Sequence, residues 1–475
     1  MEALLLIGVV AALVWALVLV RHGCLLTGCL AYVVLVALFD ERFYSAPVAG
    51  VHLTVNRVAW VLLLLDYVIW RRLGWAEPKR LGKADIVLIA MLAMLTISIF
   101  THDWTVNKAW GFWRFLAGFL IPASLFWIAR QAPPAERSIS RLHTGLVVFA
   151  LYLAVTAIAE VAEVWWLVFP SHVAWHQENF WMFYGRGRGP MHFPMADGFF
   201  QSIGLCAALM WWPRLKRPGQ LLLGAAICVL GAGIACTLTR SVWIGSAVGL
   251  AVILGLSLPA RWRLRGVGLA CLGVPLVMAI LMAGGWEKVL RMDRDKQLTA
   301  EAAEESVEMR SQFGAMAWQM FRDRPLFGCG FGQYGKTLLD DYSDRSLDLN
   351  VEKIRQYTQH NVFLSLLVET GLVGMGLYVL LLGYWVRDAW QLWRSTEKPL
   401  WARQVGLVFL GAMASYLVNA MFHDLTQDNF THLMLFALAG TVAALARPAV
   451  QTTCQAAATS ESLLLGLPLR EAKRL

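Results

Sequence analysis

Long apolar stretches, separated by short polar ones, run along the chain from its first residues to about position 446. A run of about 18 or more apolar residues is long enough to cross the hydrocarbon core of a bilayer as a helix. The pattern predicts about 13 such spans, centred near residues 11, 31, 63, 94, 120, 155, 204, 229, 249, 275, 373, 412 and 438. The expected fold is an all-α polytopic membrane protein of about 12 to 13 transmembrane helices. It divides into an N-terminal transmembrane region over 1–283, a long connection over 284–359, a C-terminal transmembrane region over 360–446 and a polar tail over 447–475. Met1 to Val20 lacks a basic leader and a small-residue cleavage site, so it reads as a retained first span rather than a signal peptide.

The connections Arg71 to Lys83, Arg130 to Arg141, Pro213 to Pro218, Pro259 to Arg265 and Arg387 to Arg403 are rich in Lys and Arg, and they alternate with connections poorer in positive charge. The positive-inside rule puts them in the cytoplasm. The two longest connections, Pro170 to Pro194 and Gly284 to Gln359, then fall on the opposite side, where function is to be sought. Composition agrees with this class: 58% of residues are hydrophobic and 15% charged, and the mean hydropathy is +0.56. Topology therefore accounts for most of the net charge of +9, and no nucleic-acid partner is implied. The eight cysteines show no CxxC or zinc-ligand spacing and read as small packing residues.

The long connection has a pattern of its own. Met309, Phe313, Met316, Ala317, Met320 and Phe321 keep one helical face apolar, and Pro325 with the glycines of PLFGCGFGQYG ends it. A small helical cap over the outer surface is expected. Those glycines form no dinucleotide fingerprint, because no βαβ unit surrounds them. Asp293-Arg294-Asp295 reads as a solvated charge run, and no metal or cofactor is expected.

Ionisable residues in or beside spans are functional candidates, because charge inside a bilayer is expensive. They gather toward the outer side: Lys108 and Arg114, Glu160 and Glu163, Arg186 and Arg188, and Arg240. His360 stands where the longest connection enters a span. At about 100° per residue, Leu364, Leu367, Gly371, Gly374 and Tyr378 return to its face. The two glycines are expected to let a neighbouring helix approach closely, and Glu369 points the other way. His423, Asp424, Asp428 and His432 cluster near the last outer turn, where an acceptor sugar is one reading and ordinary interfacial polarity the other.

His360-Asn361, nine residues, Gly371, two residues and Gly374 resembles the histidine motif of the bacterial O-antigen ligase and Wzy-type polymerase superfamily. TLTRSVWIG around Arg240 resembles that family's arginine at a periplasmic helix end. GRGRGPMHFP resembles its arginine-glycine segment, with Arg186 and Arg188 equally eligible, and Arg310 with RPLFGCGFGQY resembles its loop helix and Gly-rich turn. The likeness runs from about Arg186 to Phe436.

The resemblance implies a fold similar to class C glycosyltransferases, in the bacterial inner membrane with its active site facing the periplasm. It implies a glycan donor on polyprenyl diphosphate, an acceptor that is a glycan, lipopolysaccharide core or protein, and inverting, metal-independent transfer. His360 would be the general base, and Arg240 with Arg188 or Arg186 would bind the diphosphate, helped by Lys108 and Arg114. Asn361, Arg310, His423 and Asp424 would be acceptor or loop residues. A polymerase or a protein glycosyltransferase of the same superfamily would use the same groups. A lipid-linked sugar transporter fits less well, since such proteins place polar groups near the midplane and carry internal repeats.

Overall fold

The computed structural model describes residues 24–39, 45–48, 51–171, 173, 185–191, 193–259, 261–265, 268, 312, 314–342 and 360–447, with backbone alone for 45–48, 51–53, Lys108 and Asn429. The spans expected near 11 and 275, Arg310, Asp293 to Asp295, His192, Cys271, Cys454, most of the long connection and the tail lie outside the described residues.

The helices are α1 (Leu25–Leu38), α2 (Val55–Arg72), α3 (Lys83–Phe100), α4 (Val106–Phe115), α5 (Ile121–Arg130), α6 (Glu136–Val161), α7 (Pro194–Trp211), α8 (Arg217–Cys236), α9 (Arg240–Ser257), α10 (Tyr334–Tyr342), α11 (Val362–Arg394), α12 (Leu400–Phe422) and α13 (Asn429–Ala446). A π-helical segment, Leu116–Leu120, joins α4 to α5 without interruption. Among the described residues, seven helices are long and apolar enough to cross a membrane: α3, Ala109–Arg130, α6, α8, α9, α11 and α12. The other centres read from the pattern, near 31, 63, 204 and 438, also fall in helices, namely α1, α2, α7 and α13. One local feature departs from the all-α expectation: Ser45–Val48 and Val51–Thr54 pair as a small antiparallel hairpin.

Helix ends follow local chemistry. Proline occupies the first turn of α7 and α8, where its missing N–H is not needed. Asn361 caps α11 by accepting from Phe363 and Leu364 N–H, and Asp428 caps α13 by accepting from Phe430 N–H. Between helices, small residues set the approach, because lipid is as apolar as the side chains and packing must supply the attraction. A Cβ on Gly249 would stand 2.7 Å from Gly411 O, and one on Gly245 would stand 3.0 Å from Ser415 O, so α9 lies tightly on α12. The centre is filled by Phe126, Trp385, Phe409, Tyr416, Phe436 and Tyr378, all fully buried.

Directions along the chain sort the ends of this bundle. Lys83, Arg130, Arg214, Arg217, Arg394, Arg403 and Arg447 mark one end, where buried Asp85 pairs with Arg130 at 3.0 Å and Arg447 at 2.6 Å, and Arg447 also holds Asp388 at 2.9 Å. The opposite end carries Arg240, the start of α11 and the turn between α12 and α13.

The continuous helical face drawn from His360 to Tyr378 requires correction. Gly371 has φ 63° and ψ −165°, so α11 is broken there and the phase does not carry through. The approaching chain at Gly371 is a loop, not a helix. Leu372 N–H donates to Pro325 O (2.8 Å) and Val373 N–H to Leu326 O (3.2 Å), while Val368 O and Glu369 O accept from Cys329 and Gly330 N–H, each at 3.0 Å. The Gly-rich turn is thus wedged into the break. A Cβ on Gly371 would collide with Leu326 O. Gly374 does face a neighbouring helix, with a Cβ there 2.9 Å from Met94 Cε of α3.

Of the long connection, residues 314–323 are helical and α10 follows the turn. Met316, Ala317, Met320, Cys329, Tyr334, Leu338 and Tyr342 bury against Val368 of α11. Phe331 N–H donates to Ser98 Oγ (2.9 Å), and Gln333 Nε2 to Asp103 O (2.8 Å), fastening the turn to the end of α3 as well.

Candidate functional site

Three hydrogen bonds tie together the segments singled out by their motifs. Gly187 N–H donates to Cys236 O at the end of α8 (2.8 Å), joining the Arg186–Arg188 loop to the hairpin that leads into Arg240. Ser241, the neighbour of Arg240, bonds His423 Nε2 at 2.9 Å. Asn361, the neighbour of His360, donates to Met421 O at the end of α12 (3.0 Å), two residues before His423. These contacts form a rim at one end of the bundle, and His360 and Arg240 are both exposed on it. Arg186 is half-buried and Arg188 buried at 1% exposure.

Local structure explains why these residues lie there. Arg240 begins α9 after the tight turn at Thr237 to Thr239, in which Leu238 adopts φ 47°. His360 directly precedes the capped first turn of α11. The arginine loop is fixed from below: Glu160, near the end of α6, accepts from Arg188 N–H (2.7 Å) and Gly189 N–H (2.9 Å) through one carboxylate oxygen.

Other expected site residues have work within the fold. Arg114 is buried, and its guanidinium meets Glu369 (2.6 Å), Ser365 (3.0 Å), Asp424 (3.4 Å) and Thr426 (2.8 Å), with the Phe331 ring 4.6 Å from its centre. Four of the five donors of the guanidinium are occupied by this set, so Arg114 braces the broken helix and the last turn. Glu369 accordingly answers Arg114. Asp424 organises its own turn by accepting from Thr426 and Gln427 (3.2 Å and 2.9 Å). Asn361 acts as a helix cap. His432 is buried between Gly118 O (2.7 Å) and Tyr416 OH (2.8 Å). Burial pushes the Asp428 carboxyl, at the head of α13, up to about 6.

The sequence reading passed over Asp197, although an acid in the first turn of an apolar helix is the same signal that singled out Glu160. Asp197 is fully buried and accepts from Gln201 Nε2 at 2.6 Å.

An apolar helical bundle with a histidine and arginines assembled at one end defines a polytopic membrane protein with a candidate polar site at that end. Residues 223–379 match the family model described as O-antigen ligase, so this third of the chain is similar to that family. The match includes Arg240, the Gly-rich turn, His360, Gly371 and Gly374, and is narrower than the Arg186 to Phe436 likeness read from the motifs. No curated protein matches the chain. The chain is thus a multi-pass membrane protein, one segment of which is similar to the O-antigen ligase family.

Proposed function

We propose that the protein transfers a glycan from a polyprenyl-diphosphate donor to an acceptor hydroxyl at the periplasmic face of the bacterial inner membrane, as an O-antigen ligase. The rim of hydrogen bonds linking the His360, Arg240 and Arg186–Arg188 segments carries this reading, together with the similarity of residues 223–379 to the O-antigen ligase family. His360 accepts the proton of the acceptor hydroxyl as that oxygen attacks the anomeric carbon. The bond from this carbon to the diphosphate oxygen breaks on the opposite face, inverting the centre. Arg240 with Arg186 or Arg188 receives the growing charge on the leaving diphosphate, since a guanidinium offers fixed, always-charged donors in a planar fork.

Transfer of labelled lipid-linked glycan to lipopolysaccharide core tests both roles. His360→Ala is expected to lose about 100-fold or more of the rate while inserting and purifying like the parent; an active variant would remove the general base. Arg240→Lys keeps the charge and loses the fork, so a loss of at least about tenfold is expected. Normal turnover by the lysine form would remove the diphosphate contact at 240. Offering glycan and protein acceptors in the same assay separates the ligase from a polymerase and from protein glycosylation.

A further inference from the structure

We propose that Glu160 is a positioning residue for the donor site, holding the backbone of the Arg186–Gly189 loop so that its guanidiniums face the diphosphate; this rests on the donor-binding reading of that loop. Glu160 lies near the end of an apolar helix and is 3% exposed. A carboxylate in such a place is costly, so its contacts identify its task. Oε2 takes the N–H groups of two successive residues, Arg188 at 2.7 Å and Gly189 at 2.9 Å. Its other oxygen has no hydrogen-bond partner among the described residues.

The loop is restrained on two further sides. Gly187 N–H is held by Cys236 O at 2.8 Å, four residues ahead of Arg240 in the chain. Gly189 has φ +55°, and a Cβ there would stand 2.7 Å from Oδ1 of buried Asp197. The loop therefore sits on a floor formed by α6, α7 and α8. Glu160 is the part of that floor that grips the two amides at and beyond Arg188, and the arginine side chains inherit their direction from a backbone so fixed.

The test is transfer kinetics with donor concentration varied, on full-length protein in detergent or proteoliposomes. Glu160→Ala is expected to lower donor kcat/KM about tenfold and leave acceptor KM unchanged, because two loop amides lose their acceptor. Glu160→Gln, which keeps an acceptor oxygen, should recover most of that loss. In an Arg186→Ala/Arg188→Ala background, Glu160→Ala should add nothing further, since a residue acting through the arginines has nothing left to position. A folded Glu160→Ala enzyme with parental donor kinetics would overturn the proposal. So would a loss of equal size in the arginine-free background, which would show a general structural effect. Parental donor kinetics in the Arg186→Ala/Arg188→Ala protein itself would instead defeat the donor-binding reading of the loop, and the role of Glu160 with it.

Discussion

At the scale of single residues, the break in α11 is the feature with the sharpest consequence. Gly371 occupies a region of φ and ψ that is essentially closed to residues with a Cβ, and its neighbourhood would reject one anyway because Leu326 O lies in the way. Gly371→Ala is therefore expected to destabilise the protein by roughly 3 kcal/mol and to release the Gly-rich turn from the helix. Gly376, one turn on in the same helix, has open space around it. Alanine there should be neutral or stabilise by about 0.5–1 kcal/mol. Thermal melting of the two detergent-solubilised variants checks the contrast, and equal behaviour would mean that the break is not required. The positive φ values of Gly328, Gly330 and Gly332 belong to the same joint. Their cluster carried little meaning as a string, but Gly328 lets the turn lie against α11, Gly330 against the His102 ring and Gly332 against Gly111 of α4.

At the scale of elements, the π segment between α4 and α5 has an identifiable use. Gly118 lies within it, and His432 Nδ1 meets its carbonyl oxygen at 2.7 Å. A ring nitrogen facing a carbonyl must carry the hydrogen, so Nε2 is the acceptor, and Tyr416 OH, 2.8 Å away, must donate to it. Tyr378 OH, bonded to Tyr416 OH, then donates to the Tyr416 oxygen. This chain locks α11, α12 and α13 onto the π segment. Because it has a direction, its members are unequal. Tyr416→Phe removes the near donor to a buried imidazole acceptor, leaving only Tyr378 OH at 3.5 Å, and should cost about 1–3 kcal/mol. Tyr378→Phe removes only the outermost donor and should cost less, on the order of 1 kcal/mol. Melting temperatures that rank the two in the opposite order would reverse the assigned tautomer.

At the scale of the whole molecule, the two ends differ in charge and in task. The basic end is closed by the ion pairs of Asp85, Arg130, Arg447 and Asp388, whereas the opposite end leaves His360 and Arg240 exposed. If positive charge marks the cytoplasm, cysteines placed at 240 and 360 in a cysteine-free protein will react with an impermeant maleimide from the periplasm. A cysteine replacing Arg263 will react only after the inner membrane is opened. Labelling of position 360 from the cytosol alone would discard the orientation, and with it the periplasmic reaction.

Much of this protein was legible in the order of its residues. Helical membrane class, the positions of the seven candidate spans among the described residues and the sorting of Lys and Arg to one end follow from hydropathy and charge, which act within a window of some 20 residues. The short motifs around Arg240 and His360 fall inside the O-antigen ligase match. Tertiary structure alone decided what those segments touch. The Arg114–Glu369 pair spans 255 positions, the His432–Gly118 bond spans 314, and the Glu160 grip on the arginine loop spans 28. Periodicity carries no information across such distances. Whether an arginine meets a ligand or a buried carboxylate is settled by which helices pack together, and the break at Gly371 exists only because a loop from elsewhere in the chain fills it.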